Sequence, residues 1–294
     1  MSEPVEVAPG VRRITCGNPS PMTAEGTQSY LVGRREVLLI DPGPEDAAHR
    51  AALLAALGTG RLAAILVTHS HRDHSAGAPA LAAATGAPVL AFGPHGAGMS
   101  ETMRRLAARG GLGGGEGADE GFAPDRLLAD GDEVATGEAR LSALHTPGHI
   151  SNHLCFALEG EGVLFTGDTA MGWSSTLVSP PEGDMAALMA SLQRLAARDD
   201  RLYLPGHGGA VTDPRRLVAE QIAHREARAA AIRAALAEGP ASAADLTPRI
   251  YADTPLGLHP AAMRNLLATL IWRAEAGELR ALGEIGPDCR FAPA

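Results

Sequence analysis

The stretch LAAILVTHSHRDH, residues 62–74, joins an apolar run to a cluster of polar side chains. Its first part, Leu62–Val67, has the length and apolar content of a buried β-strand. The loop that follows holds four potential metal ligands within six residues: His69, His71, Asp73 and His74. Imidazole nitrogens and carboxylate oxygens suit zinc, manganese or iron. Because the loop directly follows a strand, these side chains can converge on a small volume, and we predict a metal site there.

Three more potential ligands lie farther along the chain, each on a glycine-containing turn after a predicted strand. They are His149 in TPGH (146–149), Asp168 in TGD (166–168) and His207 in PGHG (205–208). Glycine allows the backbone to turn sharply and to approach other groups closely. Strand ends also hold ligands more rigidly than long loops do. We therefore predict that these three side chains join the first four in one centre.

Segments typical of strands alternate with segments typical of helices over residues 1–213, which predicts an α/β fold. The predicted strands are Val37–Ile40, Leu62–Val67, Pro88–Ala91, Arg140–Leu144, His153–Leu158, Val163–Thr166 and Arg201–Leu204. The predicted helices are Glu45–Leu57, Ala78–Ala84 and Met185–Ala197. Residues 110–121 are rich in glycine, which predicts either a plain mobile loop or a flap beside the site.

The sequence changes character after Asp213, which we take as the boundary between a domain of residues 1–213 and a domain of residues 214–294. Helices are predicted at Arg215–Leu236, Ser242–Tyr251 and Pro260–Ala276, and a β-hairpin at Leu279–Leu282 and Cys289–Phe291. Three helices and a hairpin predict a winged-helix-like domain.

The second domain is expected to begin beside the metal centre. Only Gly208–Asp213 separates the predicted ligand His207 from the next helix, and six residues span at most about 20 Å. The domain is therefore expected to shape the substrate pocket, and its candidate lining residues are Arg225, Tyr251, His259 and Arg264. A purely structural cap or a dimer contact is the alternative.

Composition excludes several classes of protein. Apolar residues make up 45% of the 294, which is enough for a large core. No run approaches the roughly 18 apolar residues of a membrane span, so no membrane partner is expected. The sequence MSEPVEVAPG lacks the pattern of a secretory signal, and three scattered cysteines do not suggest a disulfide framework, so a cytoplasmic location is expected. The net charge of −9 does not suggest nucleic-acid binding.

In its ordered set of motifs the chain resembles the metallo-beta-lactamase superfamily over about residues 10–213. The resemblance implies a four-layer αβ/βα sandwich with the site at one edge of two facing sheets. It implies that a first metal is bound by His69, His71 and His149, and a second by Asp73, His74 and His207. Asp168 would bridge the two metals, and Asp41, in IDPG (40–43), would support the ligands without binding metal.

Two divalent ions are thus expected, zinc first, with manganese or iron as alternatives. They would share a water, lower its pKa toward about 7 and polarise the bond to be cleaved. Asp73 would in addition orient the resulting hydroxide and relay its proton, which makes it the predicted catalytic residue.

Asp168 also bears on the kind of reaction. Zinc β-lactamases that the fold resembles place a cysteine at this point, so antibiotic hydrolysis is not expected. The stretches GDTAMGW (167–173) and PPEGDM (180–185), together with the C-terminal domain, resemble the group of beta-lactamase-like protein 2. Members of that group cut single-stranded RNA or cleave thioesters.

The resemblance therefore implies hydrolysis of an ester-type bond, in a thioester, a lactone or the phosphodiester of single-stranded RNA. Two alternatives stay open at this point: an iron-dependent oxygenase of the persulfide type, and a catalytically silent module that binds nucleic acid. The expected partner is a small-molecule ester or thioester, or single-stranded RNA. The sequence leaves a homodimer open.

Overall fold

A computed structural model describes residues 3–112, 117–286 and 288–294. The first sheet contains β1 Val5–Ala8, β2 Val11–Thr15, β3 Gln28–Val32, β4 Glu36–Ile40, β5 Arg61–Leu66, β6 Val89–Ala91 and β7 Arg126–Leu127, side by side in that order. The second contains β8 Glu133–Ala135, β9 Arg140–His145, β10 Leu154–Leu158, β11 Val163–Gly167 and β12 Leu202–Pro205, in the order β12-β11-β10-β9-β8. The helices of this part are α1 Ala47–Leu57, α2 Arg72–Ser75, α3 Ala78–Thr85, α4 Glu101–Arg109 and α5 Met185–Ala196.

Strand β4 shows how the first two layers form. Leu38 and Ile40 lie in the core between the two sheets, where they meet Phe156 and Phe165 of the second sheet. Val37 and Leu39 belong to a different core, together with residues of α1 and α3. Because successive side chains of a strand point to opposite faces, one apolar run serves both cores.

The second sheet is covered in the same way on its outer face. Phe165 points toward the first sheet, whereas Leu164 packs against helix α5 and the C-terminal helices. The layers therefore run α1/α3, first sheet, second sheet and α5 with the C-terminal helices. The predicted four-layer α/β sandwich is confirmed.

The C-terminal part contains three helices and three short strands. These are α6 Pro214–Leu236, β13 Ala241–Ser242, α7 Ala243–Ile250, a 3₁₀ turn Leu256–Leu258, α8 His259–Glu275, β14 Leu279–Ala281 and β15 Arg290–Pro293. Strand β15 pairs with both β13 and β14, so the predicted hairpin forms two of the three strands of this sheet. Pro287, at the predicted turn, lies outside the described residues.

Two hydrophobic cores cross the predicted boundary at residue 213. Val218 of α6 and Ala268 of α8 pack with residues of the second sheet and α5. Met103 and Leu106 of α4 pack in turn into the core of the C-terminal helices. The C-terminal domain is therefore built onto the sandwich through a continuous apolar contact.

Most predicted elements occur where the sequence placed them, and two differences have clear causes. Helix α1 begins at Ala47 rather than Glu45, because the side chain of Asp46 accepts a hydrogen bond from His49 N and caps the helix there. Helix α4 was not predicted, since its buried residues, Met103 and Leu106, supply only a narrow apolar stripe.

The glycine-rich stretch is only partly described, because residues 113–116 lie outside the described ranges. Residues after it are tied to the histidine motif. Arg72 N donates to Gly117 O at 2.8 Å, and Asp119 N donates to Ser70 O at 2.9 Å. The segment 117–119 is thus fixed to the motif loop. No helix among the described residues is both long and apolar enough to cross a membrane.

Candidate metal centre

The seven predicted ligands meet at one edge of the sandwich, where several parallel strands end. Strand β5 runs parallel to β4, and β11 runs parallel to β12. The carboxyl ends of these strands lead into Asp41, His69, Asp168 and His207. Side chains that follow the carboxyl ends of parallel strands share one edge of a sheet, which is a common place for a binding site.

Three histidines form a first triad. His69 Nε2 lies 3.0 Å from His71 Nδ1, and His149 Nε2 lies 2.9 Å from the same His71 atom. Four ligands of a tetrahedral zinc ion, each at about 2.0–2.1 Å from it, lie about 3.3 Å from one another. The three nitrogens are therefore spaced as ligands of one ion.

Asp73, His74 and His207 form a second triad. His74 Nε2 lies 3.2 Å from His207 Nε2, and the Oδ2 atom of Asp73 lies 3.2 Å from His207 Nε2. The one-turn helix α2 causes this arrangement, because it turns Asp73 and His74 inward from the end of β5.

Asp168 lies between the two triads. Its Oδ2 is 3.7 Å from His149 Nε2 and 3.4 Å from His207 Nε2, and its Oδ1 is 3.6 Å from His74 Nε2. Oδ1 is buried and has no hydrogen-bond partner among the described residues. A buried carboxylate oxygen without a partner is costly, and a bound cation would satisfy it.

In four histidines the ring nitrogen Nδ1 has a hydrogen-bond partner outside the cluster. This identifies the other nitrogen, Nε2, as the one available to a metal. His74 Nδ1 donates to Asp41 Oδ2 at 2.8 Å, His149 Nδ1 to the carbonyl oxygen of Leu177 at 2.8 Å, and His207 Nδ1 to that of Gly26 at 3.3 Å. Because Nδ1 is the donor in each ring, Nε2 is the atom that holds the lone pair when the ring is neutral, as a metal ligand must be. His69 follows the same pattern through Thr68.

Asp41 supports both triads. Thr68 Oγ1 donates to Asp41 Oδ2 at 2.8 Å and so can accept from His69 Nδ1, which lies 2.9 Å away. The same Asp41 oxygen accepts from His74. Asp41 thus orients one histidine of each triad and has no place among the metal-facing atoms, in line with its expected supporting role.

His153 plays a supporting part for Asp168. Its Nε2 accepts a hydrogen bond from Asp168 N at 3.1 Å, and its Nδ1 lies 2.9 Å from Thr146 Oγ1. The ring is completely buried. His153 thus helps to hold the backbone that carries Asp168.

Burial and mutual proximity shift the pKa values of the cluster. Burial favours the neutral form of Asp168, but His207 and His74 outweigh it and hold the pKa of Asp168 well below its usual range. Burial lowers the pKa of His207, yet the Asp168 carboxylate raises it to about 9. Burial and the nearby His71 lower the pKa of His149 to about 4. The neutral His149 nitrogen is therefore free to bind a cation, and the ionised Asp168 supplies negative charge beside it.

The donor set fits two divalent ions: three imidazoles in one triad, two imidazoles and a carboxylate in the other, and a carboxylate between them. Each triad's ligand atoms lie within 4.8 Å of one another. That the seven residues bind metal remains a prediction, which this geometry supports.

A cavity of about 530 Å³ opens over the ligands. Asp73, Asp168 and three of the histidines form its floor, whereas residues 20–23 form one wall and Leu258, Ala261 and Arg264 of the C-terminal domain form another. A neighbouring cavity of about 240 Å³ shares His149, Asp168 and Leu177 with it and extends along Trp173 and Tyr251. The two cavities form one cleft between the sandwich and the C-terminal domain.

Sequence reasoning missed several residues of this cleft. Glu182 lies at its edge, with its carboxylate 3.9 Å from His71 Nε2 and 3.6 Å from His95 Nε2. Burial would raise the pKa of Glu182, but its contact with His71 lowers it. The available signal was the motif PPEGDM, in which two prolines and a glycine shape a turn around the acid.

The four candidate lining residues of the C-terminal domain divide into two pairs. Arg264 lines the larger cavity and Tyr251 lines the smaller one. Arg225 and His259 line neither of them, which corrects the expectation. Arg225 is buried behind the cleft wall. His259 is the first residue of α8, and its Nε2 lies 3.1 Å from Thr254 O.

Comparison with known proteins agrees with this geometry. Residues 22–207 match the family described as the metallo-beta-lactamase superfamily, and residues 242–271 match the beta-lactamase associated winged helix domain. A beta-lactamase-like protein 2 homolog of Caenorhabditis elegans is 30% identical over 278 residues, which are 91% of this chain and 85% of the relative. An atrochrysone carboxyl ACP thioesterase of Aspergillus fumigatus is 30% identical over 267 residues, 85% of this chain and 76% of the relative.

A solved structure shares the whole architecture. The crystal structure of a beta-lactamase domain protein from Burkholderia ambifaria matches with a TM-score of 0.81 and 28% identity, over 99% of this chain and 93% of that one. The chain therefore belongs to the metallo-beta-lactamase superfamily, whose members bind divalent metals, and is a hydrolase with the winged-helix domain associated with that superfamily.

Proposed function

We propose that this hydrolase cleaves the thioester of a small molecule with an apolar acyl group, at a centre of two zinc ions. The observation that carries the proposal is the apolar cleft that opens directly onto the predicted ligands. Met22, Trp173 and Leu258 line it and stay 48%, 40% and 39% exposed. Apolar side chains exposed together beside a site are typical of a binding surface for an apolar ligand.

The printed name of one relative points in the same direction. The Aspergillus fumigatus protein, which aligns with 85% of this chain, is named as a thioesterase that acts on an acyl carrier protein. In a cleft with its metal centre at one end, the scissile bond of a thioester can lie at the centre while the acyl group lies along the apolar part. The identity of the zinc ions rests on the donor set, which is rich in histidine and has few carboxylates.

When bound, two divalent ions in such a centre lower the pKa of a shared water toward about 7 and polarise the oxygen of the scissile bond. The protein's own contribution begins with Asp73. Its carboxylate faces the cavity and is held by Thr27 Oγ1 at 3.3 Å. Burial favours its neutral form, but His74 and His207 hold the pKa of Asp73 well below its usual range, so it is ionised and can accept a proton.

The reaction adds one water molecule to the thioester. Asp73 accepts a proton from the water as the water oxygen bonds to the carbonyl carbon. The carbon–sulfur bond then breaks, and the same proton passes to the leaving sulfur. The products are a carboxylic acid and a thiol.

Charge argues for a small molecule rather than RNA. The chain carries a net charge of −9, and proteins that bind RNA through phosphate contacts rely on positive charge. Among the described residues that line the larger cavity, Arg264 is the one arginine. One arginine can meet a single anionic group of a small substrate, whereas a strand of RNA presents one phosphate per nucleotide.

A substrate panel on the zinc-loaded full chain tests this function. It contains thioesters of coenzyme A with acetyl, butyryl, octanoyl and benzoyl groups, a lactone, and a single-stranded RNA oligonucleotide. We expect the thioesters to be hydrolysed, with kcat/KM about tenfold higher for butyryl than for acetyl. Two more buried methylenes contribute about 1.6 kcal/mol, at about 0.8 kcal/mol each.

Three outcomes would contradict the proposal. Cleavage of the RNA without turnover of any thioester would assign the centre to phosphodiesters. Oxygen consumption by the iron-loaded protein, with no hydrolysis by the zinc-loaded one, would assign it to an oxygenase. Salt-dependent binding of nucleic acid without any turnover would indicate a silent binding module.

A further inference from the structure

The C-terminal helices hold one particular segment of the sandwich, residues 171–178, which follows Asp168 and precedes α5. Three hydrogen bonds reach it. Gln221 Nε2 of α6 donates to Met171 O at 3.0 Å, Arg225 Nη2 of the same helix donates to Thr176 O, and Val178 N donates to Asn265 Oδ1 of α8 at 2.9 Å. Gln221 and Arg225 are four residues apart, so they project from the same face of α6.

Arg225 is an unusual residue for this purpose. Its side chain is buried, yet the groups that accept its hydrogen bonds are uncharged: Thr176 O, and Asn265 Oδ1 at 3.3 Å. Burial lowers the pKa of Arg225 to about 10, which still leaves the guanidinium charged at neutral pH. A buried charge is costly to keep. Asn265 Oδ1 accepts from both Arg225 and Val178 N, and this links the two helices and the segment in one network.

The held segment in turn contacts His149. Thr176 Oγ1 lies 3.0 Å from His149 Nδ1, and the Leu177 carbonyl oxygen accepts from the same nitrogen at 2.8 Å. These two contacts determine the direction in which His149 Nε2 points. A single residue, Thr176, thus connects the side chain of Arg225 to the predicted metal ligand His149.

We infer that Arg225 and Asn265 are positioning residues for the first metal triad: they hold Thr176–Val178, and this segment aims the Nε2 atom of His149. The inference rests on metal binding by the triad of His69, His71 and His149, and does not depend on which substrate is cleaved. It gives the C-terminal domain a second role beside lining the cleft, because the domain completes the support of a metal site that lies in the sandwich.

Metal affinity of the full chain tests the inference without any substrate. Zinc binding is measured by competition with a chromophoric chelator in Arg225→Met and Asn265→Leu. Arg225→Met removes the donors and keeps an unbranched chain, and Asn265→Leu removes the shared acceptor. The measurement is repeated in a His74→Ala background, in which the second triad is broken and the remaining ion reports on the first triad.

We expect both variants to bind that ion about tenfold more weakly, since removing groups that orient a metal ligand costs about 10–100-fold in affinity. Asn265→Asp replaces the amide oxygen by a carboxylate oxygen that can still accept both hydrogen bonds, and it is expected to bind within about threefold of the parent. Arg216→Ala is the matched control. It removes an exposed arginine of the same helix whose partner is Glu220.

Unchanged zinc affinity in Arg225→Met and Asn265→Leu would overturn the inference, and so would a fall in thermal stability with no change in affinity. If Arg225→Met does not fold, the Asn265 pair decides: equal affinities of the Leu and Asp variants overturn the inference, and a loss confined to Leu supports it. A failure of the thioester panel would leave these results unaffected, so the two proposals fail separately.

Discussion

At the scale of single residues, Asp73 stands apart from the other predicted ligands. His69, His74 and His207 are at most 1% exposed, whereas the Asp73 side chain is 27% exposed and faces the cavity. A carboxylate that contacts both a metal triad and the open cavity can hold a metal and also handle a proton. Asp168 also borders the cavity but its side chain is only 9% exposed, and this difference in exposure is the reason for assigning proton transfer to Asp73.

Replacing Asp73 by alanine should therefore abolish turnover and leave the fold intact. General acid–base catalysis contributes about 10²–10⁴-fold, and a metal ligand is lost as well, so we expect kcat/KM to fall by at least about 100-fold. Steady-state kinetics gives the rate, and circular dichroism checks the fold. The control Asp199→Ala removes an acid whose side chain is 92% exposed, and it should behave as the parent. Full activity of Asp73→Ala would remove this residue from the mechanism.

At the scale of elements, the turn after β12 depends on contacts with the other sheet. Gln28 N of β3 donates to Gly206 O at 2.7 Å, and the Tyr30 hydroxyl of the same strand donates to Pro205 O at 2.7 Å. The first sheet thereby places His207, which belongs to the second sheet. Gly206 also lies directly behind the metal-facing atoms.

An alanine at Gly206 should disrupt the centre. Its Cβ would lie 2.5 Å from Asp168 Oδ1 and 2.6 Å from His74 Cε1, so the Asp168 carboxylate or the His74 ring would have to move. We expect zinc binding and kcat/KM each to fall by at least about tenfold. Gly209→Ala, three residues later, is the matched control because its Cβ would meet nothing within 4 Å. Equal zinc content in both variants would mean that the turn tolerates the shift.

At the scale of the whole molecule, the centre joins parts of the chain that are distant in sequence. The first sheet supplies His69 and the loop after it, the second supplies His149, Asp168 and His207, and the C-terminal helices support the segment that contacts His149. Ions bound at this centre should stabilise the whole fold, because they bind the folded chain and not the unfolded one.

Metal content and thermal unfolding test this directly. We expect elemental analysis to find about two divalent ions per chain. Free zinc at 1,000 times its Kd adds about 4 kcal/mol of stability, and each kcal/mol corresponds to about 2 °C for a domain of this size. Removing zinc with a chelator should therefore lower Tm by about 8 °C, and adding zinc back should restore it. A Tm that does not respond to zinc, or one ion at most after zinc supplementation, would argue against a dinuclear centre.

Much of the site could be predicted before the fold was known. Four ligands within six residues after an apolar strand must lie near one another, because the chain between them is too short to separate them. The strands and helices around them follow from local periodicity, and the glycine turns that carry His149, Asp168 and His207 follow from local composition. These signals are short in range, so they survive in the sequence by themselves.

What only the tertiary structure decided depends on contacts between distant segments. Arg225 was expected in the pocket, but the face of α6 that carries Gln221 and Arg225 packs on residues 171–178, which buries it behind the cleft. Glu182, Met22 and Trp173 line the cleft only because their segments fold back beside the predicted ligands. The sequence by itself determined which residues are candidate ligands and which elements carry them, since both depend on neighbouring residues. The shape of the cleft and the support of His149 arise from packing between two sheets and a second domain, and no local pattern encodes that packing.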